Sequence, residues 1–104
     1  MSDLQVDLQS VKRLSHIATQ CRAVYPQCVT NYYINVKSFA NDEFTAVCGH
    51  QACPQLFTGN EAIDNLELVV VNQFDWLVTA RYVRVNPQNW ISHMSLRWEL
   101  YGCD

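Results

Sequence analysis

Glycine and proline are scarce in this chain, three of each in 104 residues. No linker, repeat or low-complexity tract is visible, which argues for one globular unit over the whole of residues 1–104. Basic residues are also few, with seven Lys and Arg against ten Asp and Glu and a net charge of −3. Without a Lys/Arg cluster, nucleic acid is excluded as a partner, and nothing draws the chain over long range to anionic membranes. No apolar run approaches the roughly 18 residues of a membrane span. Leu66 to Val71 is the longest candidate, and Glu67 interrupts it. The start, Met1-Ser2-Asp3-Leu4-Gln5, has neither the basic nor the apolar region of a signal peptide. No Asn-x-Ser/Thr acceptor occurs. Charged residues make up 16% against 49% hydrophobic, a balance that excludes a disordered chain.

Cysteine is the exception, with five in 104 residues. That density is high for the cytosol, and there is no Cys-x-x-Cys, so a metal site is not indicated. The nearest spacings join Cys21 to Cys28 and Cys48 to Cys53. One open reading is two local disulfides, each worth about 2–3 kcal/mol in the chain-entropy model, and the other is that Cys21 and Cys28 are small buried thiols. Cys103 is the unpaired candidate.

Alternation dominates the rest. Met94, Leu96, Trp98 and Leu100 share one side, with Ser95, Arg97 and Glu99 between them, the period-2 pattern of a half-buried strand. Leu4, Val6 and Leu8 alternate in the same way. Predicted strands cover Leu4–Gln9, Leu14–Gln20, Val29–Lys37, Phe44–Val47, Leu66–Val71, Ala80–Val85 and Met94–Leu100. Val29–Lys37 is rich in the residue types that favour pleated surfaces. Asn41-Asp42 is a turn signal, and Glu61–Asp64 allows one helical turn at most. Many short strands between turns indicate an all-β sandwich. Trp76, Trp90 and Trp98 are expected to fill the core or cover its edge, with Trp76 in a loop. Arg81, Arg84 and Arg97 are expected to pair with carboxylates such as Asp7 or Glu99.

Five segments in order carry a resemblance. They are Leu4-Gln5-Val6-Asp7-Leu8, Ile17-Ala18-Thr19-Gln20, Leu56-Phe57-Thr58-Gly59-Asn60, Asn72-Gln73-Phe74-Asp75, and Ala80-Arg81-Tyr82-Val83-Arg84-Val85 followed by the run from His93 to Cys103. Together they resemble the coagulation-factor type C, or discoidin, domain over the last two-thirds of such a domain. The resemblance implies a jelly-roll-like β-sandwich of galactose-binding-domain type, here expected to lack its N-terminal strands. It also implies a terminal cysteine, Cys103, whose partner near the domain start is absent. An open sheet edge of that kind invites edge-to-edge self-association. The sequence departs from the family at Cys21, where a glycine is usual, at Cys28, and at Asp75-Trp76-Leu77, which replaces Asp-Pro-Pro.

By the same resemblance, the segment between the second and third predicted strands is one of the loops that hold ligand. Arg22, Val24 and Tyr25 are therefore the candidate ligand-binding residues. Val24 and Tyr25 would be apolar tips beside a cation, able to enter a membrane interface or to stack a sugar while Arg22 donates hydrogen bonds. The competing expectation is a surface turn that folds back on the sandwich. His16, His50 and His93 are scattered, and Asp42-Glu43 and Asp64 with Glu67 lack calcium-loop spacing, so no metal, cofactor or catalytic residue is expected. The functional expectation is a non-catalytic extracellular adhesion module, part of a longer protein, that recognises a glycan, a phospholipid headgroup or a cell-surface or matrix protein. Its alternatives are an accessory carbohydrate-binding module of a larger secreted protein and a non-binding incomplete fragment.

Overall fold

The computed structural model describes residues 4–103. Six strands run in the order β1 Gln5–Gln20, β2 Cys28–Lys37, β3 Thr45–Ala46, β4 Phe57–Thr58, β5 Val70–Ile91 and β6 Arg97–Cys103. All pairings are antiparallel, in the order β3-β2-β5-β1-β6 with β4 also on β2. The architecture is the all-β sandwich expected from the alternation, and no helix is present among the described residues. It follows that no described helix is long and apolar enough to cross a membrane.

Two strands are much longer than local patterning predicts. Leu4–Gln9 and Leu14–Gln20, expected as separate strands, are one strand, β1. Its register against β5 slips between Asp7 and Lys12 and again between Leu14 and His16. Such bulges bend a strand without ending it. At the first, Gln9 takes a left-handed φ of 72°, and its N–H donates to Asp7 Oδ1 at 2.8 Å. Arg81, opposite this bulge, donates from Nε and Nη2 to the same carboxylate at 2.8 and 3.0 Å. Asp7 thus holds both sides of the bend. Likewise, Ala80–Val85 is a segment of the 22-residue β5, while the predicted strand Leu66–Val71 is turn or irregular as far as Val69 and β5 begins only at Val70.

The bends let each long strand serve both layers. The Val70–Thr79 part of β5 pairs with the second half of β1, which carries β6 on its other side. The Tyr82–Ile91 part of β5 pairs with β2. Phe57 fills the space between the layers, stacked on Tyr32 of β2 at 5.6 Å and edge-on to Phe74 of β5 at 5.8 Å. Ile17, Ile34, Val83, Val85 and Leu96 complete the buried centre. Each aromatic pair adds about 0.5–1.5 kcal/mol beyond area burial.

Three further expectations change. The last strand is Arg97–Cys103, shifted from Met94–Leu100, and Met94 is 45% exposed in the preceding turn. The Phe44–Val47 strand shrinks to two residues. Trp76 and Trp90 are not core residues: they are 49% and 45% exposed, both within β5, and only Trp98 packs against the core. The long strand presents these two rings outward, where inward positions are already taken by Phe74, Val78, Val83 and Val85.

Candidate functional site

The segment from Cys21 to Cys28 joins β1 to β2, and a disulfide closes it, with the two Cα atoms 4.4 Å apart. Both cysteines are completely covered, so they act as a buried base for the loop. Between them the backbone is tightly folded: Arg22 N–H donates to Gln27 O at 2.9 Å and Gln27 N–H to Tyr25 O at 2.7 Å. Arg22 Nη1 donates to Gln27 Oε1 at 3.2 Å, and its guanidinium carbon lies 4.8 Å from the centre of the Tyr25 ring. That stacking orients both side chains and contributes about 0.5–1 kcal/mol at an exposed site. Val24 forms the tip, 74% exposed, beside Tyr25 at 49%. The three side chains singled out in the sequence therefore share one surface, with Gln27 as a fourth member that patterning did not identify. A lone glutamine beside a cysteine carries no signal of its own.

The loop is fastened to its neighbours. Arg97 Nε donates to Cys21 O at 2.8 Å, and Nη2 donates to Leu66 O at 3.0 Å. Its contact with the exposed Glu67 carboxylate is longer, 3.3 Å. Arg97 thus pairs with a carboxylate, as alternation led one to expect, although with Glu67, and it also bridges two loop carbonyls. Gln20 Nε2 adds a bond to Glu67 O at 2.8 Å. Beneath them the buried Thr19 hydroxyl donates to Asn60 Oδ1 at 2.7 Å, and Asn60 Nδ2 donates to Leu68 O at 3.0 Å. On the other flank, Cys28 pairs with Ile91 and Val29 with Trp90. The 21–27 loop, the 59–69 connection and the end of β5 accordingly meet at one end of the sandwich, where Val24, Tyr25 and Trp90 all face water.

The remaining candidates lie elsewhere. Cys48 and Cys53 form a second disulfide, with Cα atoms 4.5 Å apart, and Cys103 is free and exposed. His16 stacks on Tyr101 at 4.6 Å and His50 meets Trp76 edge-on at 4.9 Å. No cluster of three or more metal-ligating side chains occurs among the described residues. Arg84 finds the Gln5 amide oxygen, at 2.9 and 3.1 Å, rather than a carboxylate. An open apolar cleft of about 380 Å³ lies between the start of β1 and β6, walled by Val6, Leu8, Trp98 and Leu100. These residues are the half-buried rim of the core.

The fold is an antiparallel sandwich with a disulfide-closed loop at one end. The F5/8 type C domain model matches residues 1–100, and the chain belongs to that family. It is 38% identical over 105 residues to human neuropilin-2, covering 96% of this chain and 11% of the relative. It is 32% identical over 101 residues to neurexin-4 of Drosophila melanogaster, covering 97% and 8%. Bovine coagulation factor V is 30% identical over 103 residues, covering 97% and 4%. The chain thus spans about a tenth or less of the curated relatives it matches. Among solved structures, recombinant discoidin II of Dictyostelium discoideum superposes with a TM-score of 0.81 at 26% identity, covering 100% of this chain and 40% of that one. Wild-type discoidin II gives 0.78 at 27% identity, covering 94% and 35%.

Proposed function

We propose that this chain is a non-catalytic extracellular recognition module that binds its ligand through the loop 20–28, with Arg22, Val24 and Tyr25 as the contact residues. The observation that carries this reading is the arrangement on that loop: an exposed apolar tip at Val24, the Tyr25 ring beside it, and the Arg22 guanidinium stacked on that ring. Such a set meets a surface that is apolar in one part and rich in anionic or hydroxyl oxygens in another. The buried disulfide and the Arg97 bond to Cys21 O hold the loop in shape before binding, which lowers the ordering cost of association. A phospholipid headgroup, a glycan and a cell-surface or matrix protein all offer the required chemistry. Family membership supports a binding role, and the small share of each relative that the chain spans supports a module within a longer secreted or cell-surface protein. An accessory carbohydrate-binding module within a larger secreted protein is the second reading, favoured by the exposed Tyr25 ring.

The test compares the oxidised chain with Arg22→Ala, Val24→Ala and Tyr25→Ala on three surfaces: phosphatidylcholine vesicles with and without phosphatidylserine, immobilised glycans, and matrix proteins. Binding to one surface should fall about tenfold in each variant, the equivalent of ~1.4 kcal/mol, with the melting curves unchanged. Equal binding by all four proteins on every surface would place the site elsewhere.

A further inference from the structure

A second exposed aromatic site lies away from the 21–27 loop. Between Leu14 and His16, β1 advances by Ser15 alone, while β5 advances from Gln73 to Val78. The extra residues of β5 break the alternation: Phe74 turns into the core, and Asp75, Trp76 and Leu77 all face solvent. Bulges re-aim side chains in this way. The loop closed by Cys48 and Cys53 then packs against them. The His50 N–H donates to Asp75 Oδ2 at 2.7 Å, and the His50 ring meets the Trp76 ring at 4.9 Å and 75°. A Cβ on Gly49 would lie 2.8 Å from that same Asp75 oxygen, so a side chain there would push the carboxylate aside. The result is an aromatic ring, half open to water, with a carboxylate and an imidazole fixed beside it. Trp76 lies six residues along β5 from Val70, roughly 20 Å of strand, and Val70 is the residue that pairs with Thr19 near the 21–27 loop.

We infer that Asp75, Trp76 and His50 form a second ligand site that takes a saccharide. The apolar face of a pyranose ring covers an open indole. Sugar hydroxyls donate to the Asp75 carboxylate in charge-assisted bonds, and the imidazole of His50 both donates and accepts. A primary ammonium group would also suit a carboxylate beside an indole. The arrangement offers it one ring on an open surface rather than an enclosing set of rings, and that openness favours the flat sugar face.

The test uses albumin conjugates carrying glucose, galactose, mannose, N-acetylglucosamine or N-acetylgalactosamine, with amine-bearing albumin as a comparison. The oxidised chain should bind at least one sugar conjugate. Trp76→Ala and Asp75→Asn should weaken that binding at least tenfold, and Trp76→Phe should retain most of it. Melting curves of Trp76→Phe and Asp75→Asn, which preserve a ring and a side-chain shape, separate loss of contact from loss of fold. The inference is overturned if no sugar conjugate binds, if every sugar conjugate binds Trp76→Ala as it binds the unaltered chain, or if Trp76-dependent capture occurs only on the amine conjugate.

Discussion

Arg97 Nε donates to the carbonyl oxygen of Cys21 at 2.8 Å, so the first residue of the disulfide-closed loop is held from the last strand. The same guanidinium reaches Leu66 O at 3.0 Å and so ties two loops together. Arg97→Ala would remove donors from both carbonyls. Hydrogen bonds to charged groups contribute about 1.5–3 kcal/mol. The side chain is 35% exposed, so water replaces part of this and a loss of roughly 1 kcal/mol is expected. Thermal melts give the stability change. Amide hydrogen exchange should quicken at 21–27 and 62–68, and an unchanged pattern there would contradict the bridging role.

The Phe57-Thr58-Gly59-Asn60 segment has a different task. Gly59 lies under the β2 backbone, where a Cβ would come within 2.3 Å of Val29 O. Asn60 next to it is buried, satisfying Thr19 with its oxygen and Leu68 O with its nitrogen. Asn60→Ala would remove the donor to the carbonyl of the exposed Leu68 and take this acceptor from the buried Thr19 hydroxyl, at about 1–3 kcal/mol for a buried polar group left unpaired. A denaturant titration should show the midpoint falling with the slope unchanged.

Asp7 sets the acid limit. The Arg81 side chain foremost, and then the Gln9 N–H, hold its carboxyl below the ordinary value. A depressed folded pKa contributes stability that is present above the unfolded value and is lost as pH falls through the folded one. The stabilisation should therefore be complete above roughly pH 4 and decay below it. Asp7→Asn should flatten this acid branch of the melting temperature against pH. A variant that kept the wild-type slope would show that Asp7 is not the group responsible.

Tyr32 sets the alkaline limit. Burial pushes its hydroxyl up to about 12, although the Asn72 and Thr19 hydrogen bonds pull the other way. A raised folded pKa gives stability that is present in full below the unfolded value near pH 10 and is lost as pH rises toward 12. In an ultraviolet titration, Tyr32 should ionise last and together with unfolding. Tyr32→Phe should extend the folded range to higher pH. Ionisation of all five tyrosines near pH 10 with the fold intact would contradict this.

Period-2 patterning located β2 to within one residue, because Tyr32, Ile34 and Val36 face inward without interruption. It failed at β1 and β5, where Gln9 in a left-handed conformation and the outward run Asp75-Trp76-Leu77 break the alternation that marks a strand. A bulge looks like a turn when only neighbouring residues are compared, so two long strands read as four short segments. The candidate loop was legible through the family resemblance, as the stretch between the second and third predicted strands. Its stacked Arg22 and Tyr25 were not, since that contact depends on the fold of the loop backbone.

The sequence by itself determined the all-β class, the inward faces of its most regular strands, and the family to which the ordered segments from Leu4 to Cys103 belong. The class and the inward faces follow from side-chain alternation and turn chemistry, which act between residues a few positions apart, whereas the family follows from the resemblance those ordered segments carry. Tertiary structure alone decided which carbonyls Arg97 reaches, why Asn60 must be an amide, and that Trp76 and Trp90 stay in water. Each depends on strand register and on bends that bring residues tens of positions apart within hydrogen-bonding distance, and nothing in the local pattern encodes where a distant backbone oxygen will come to rest.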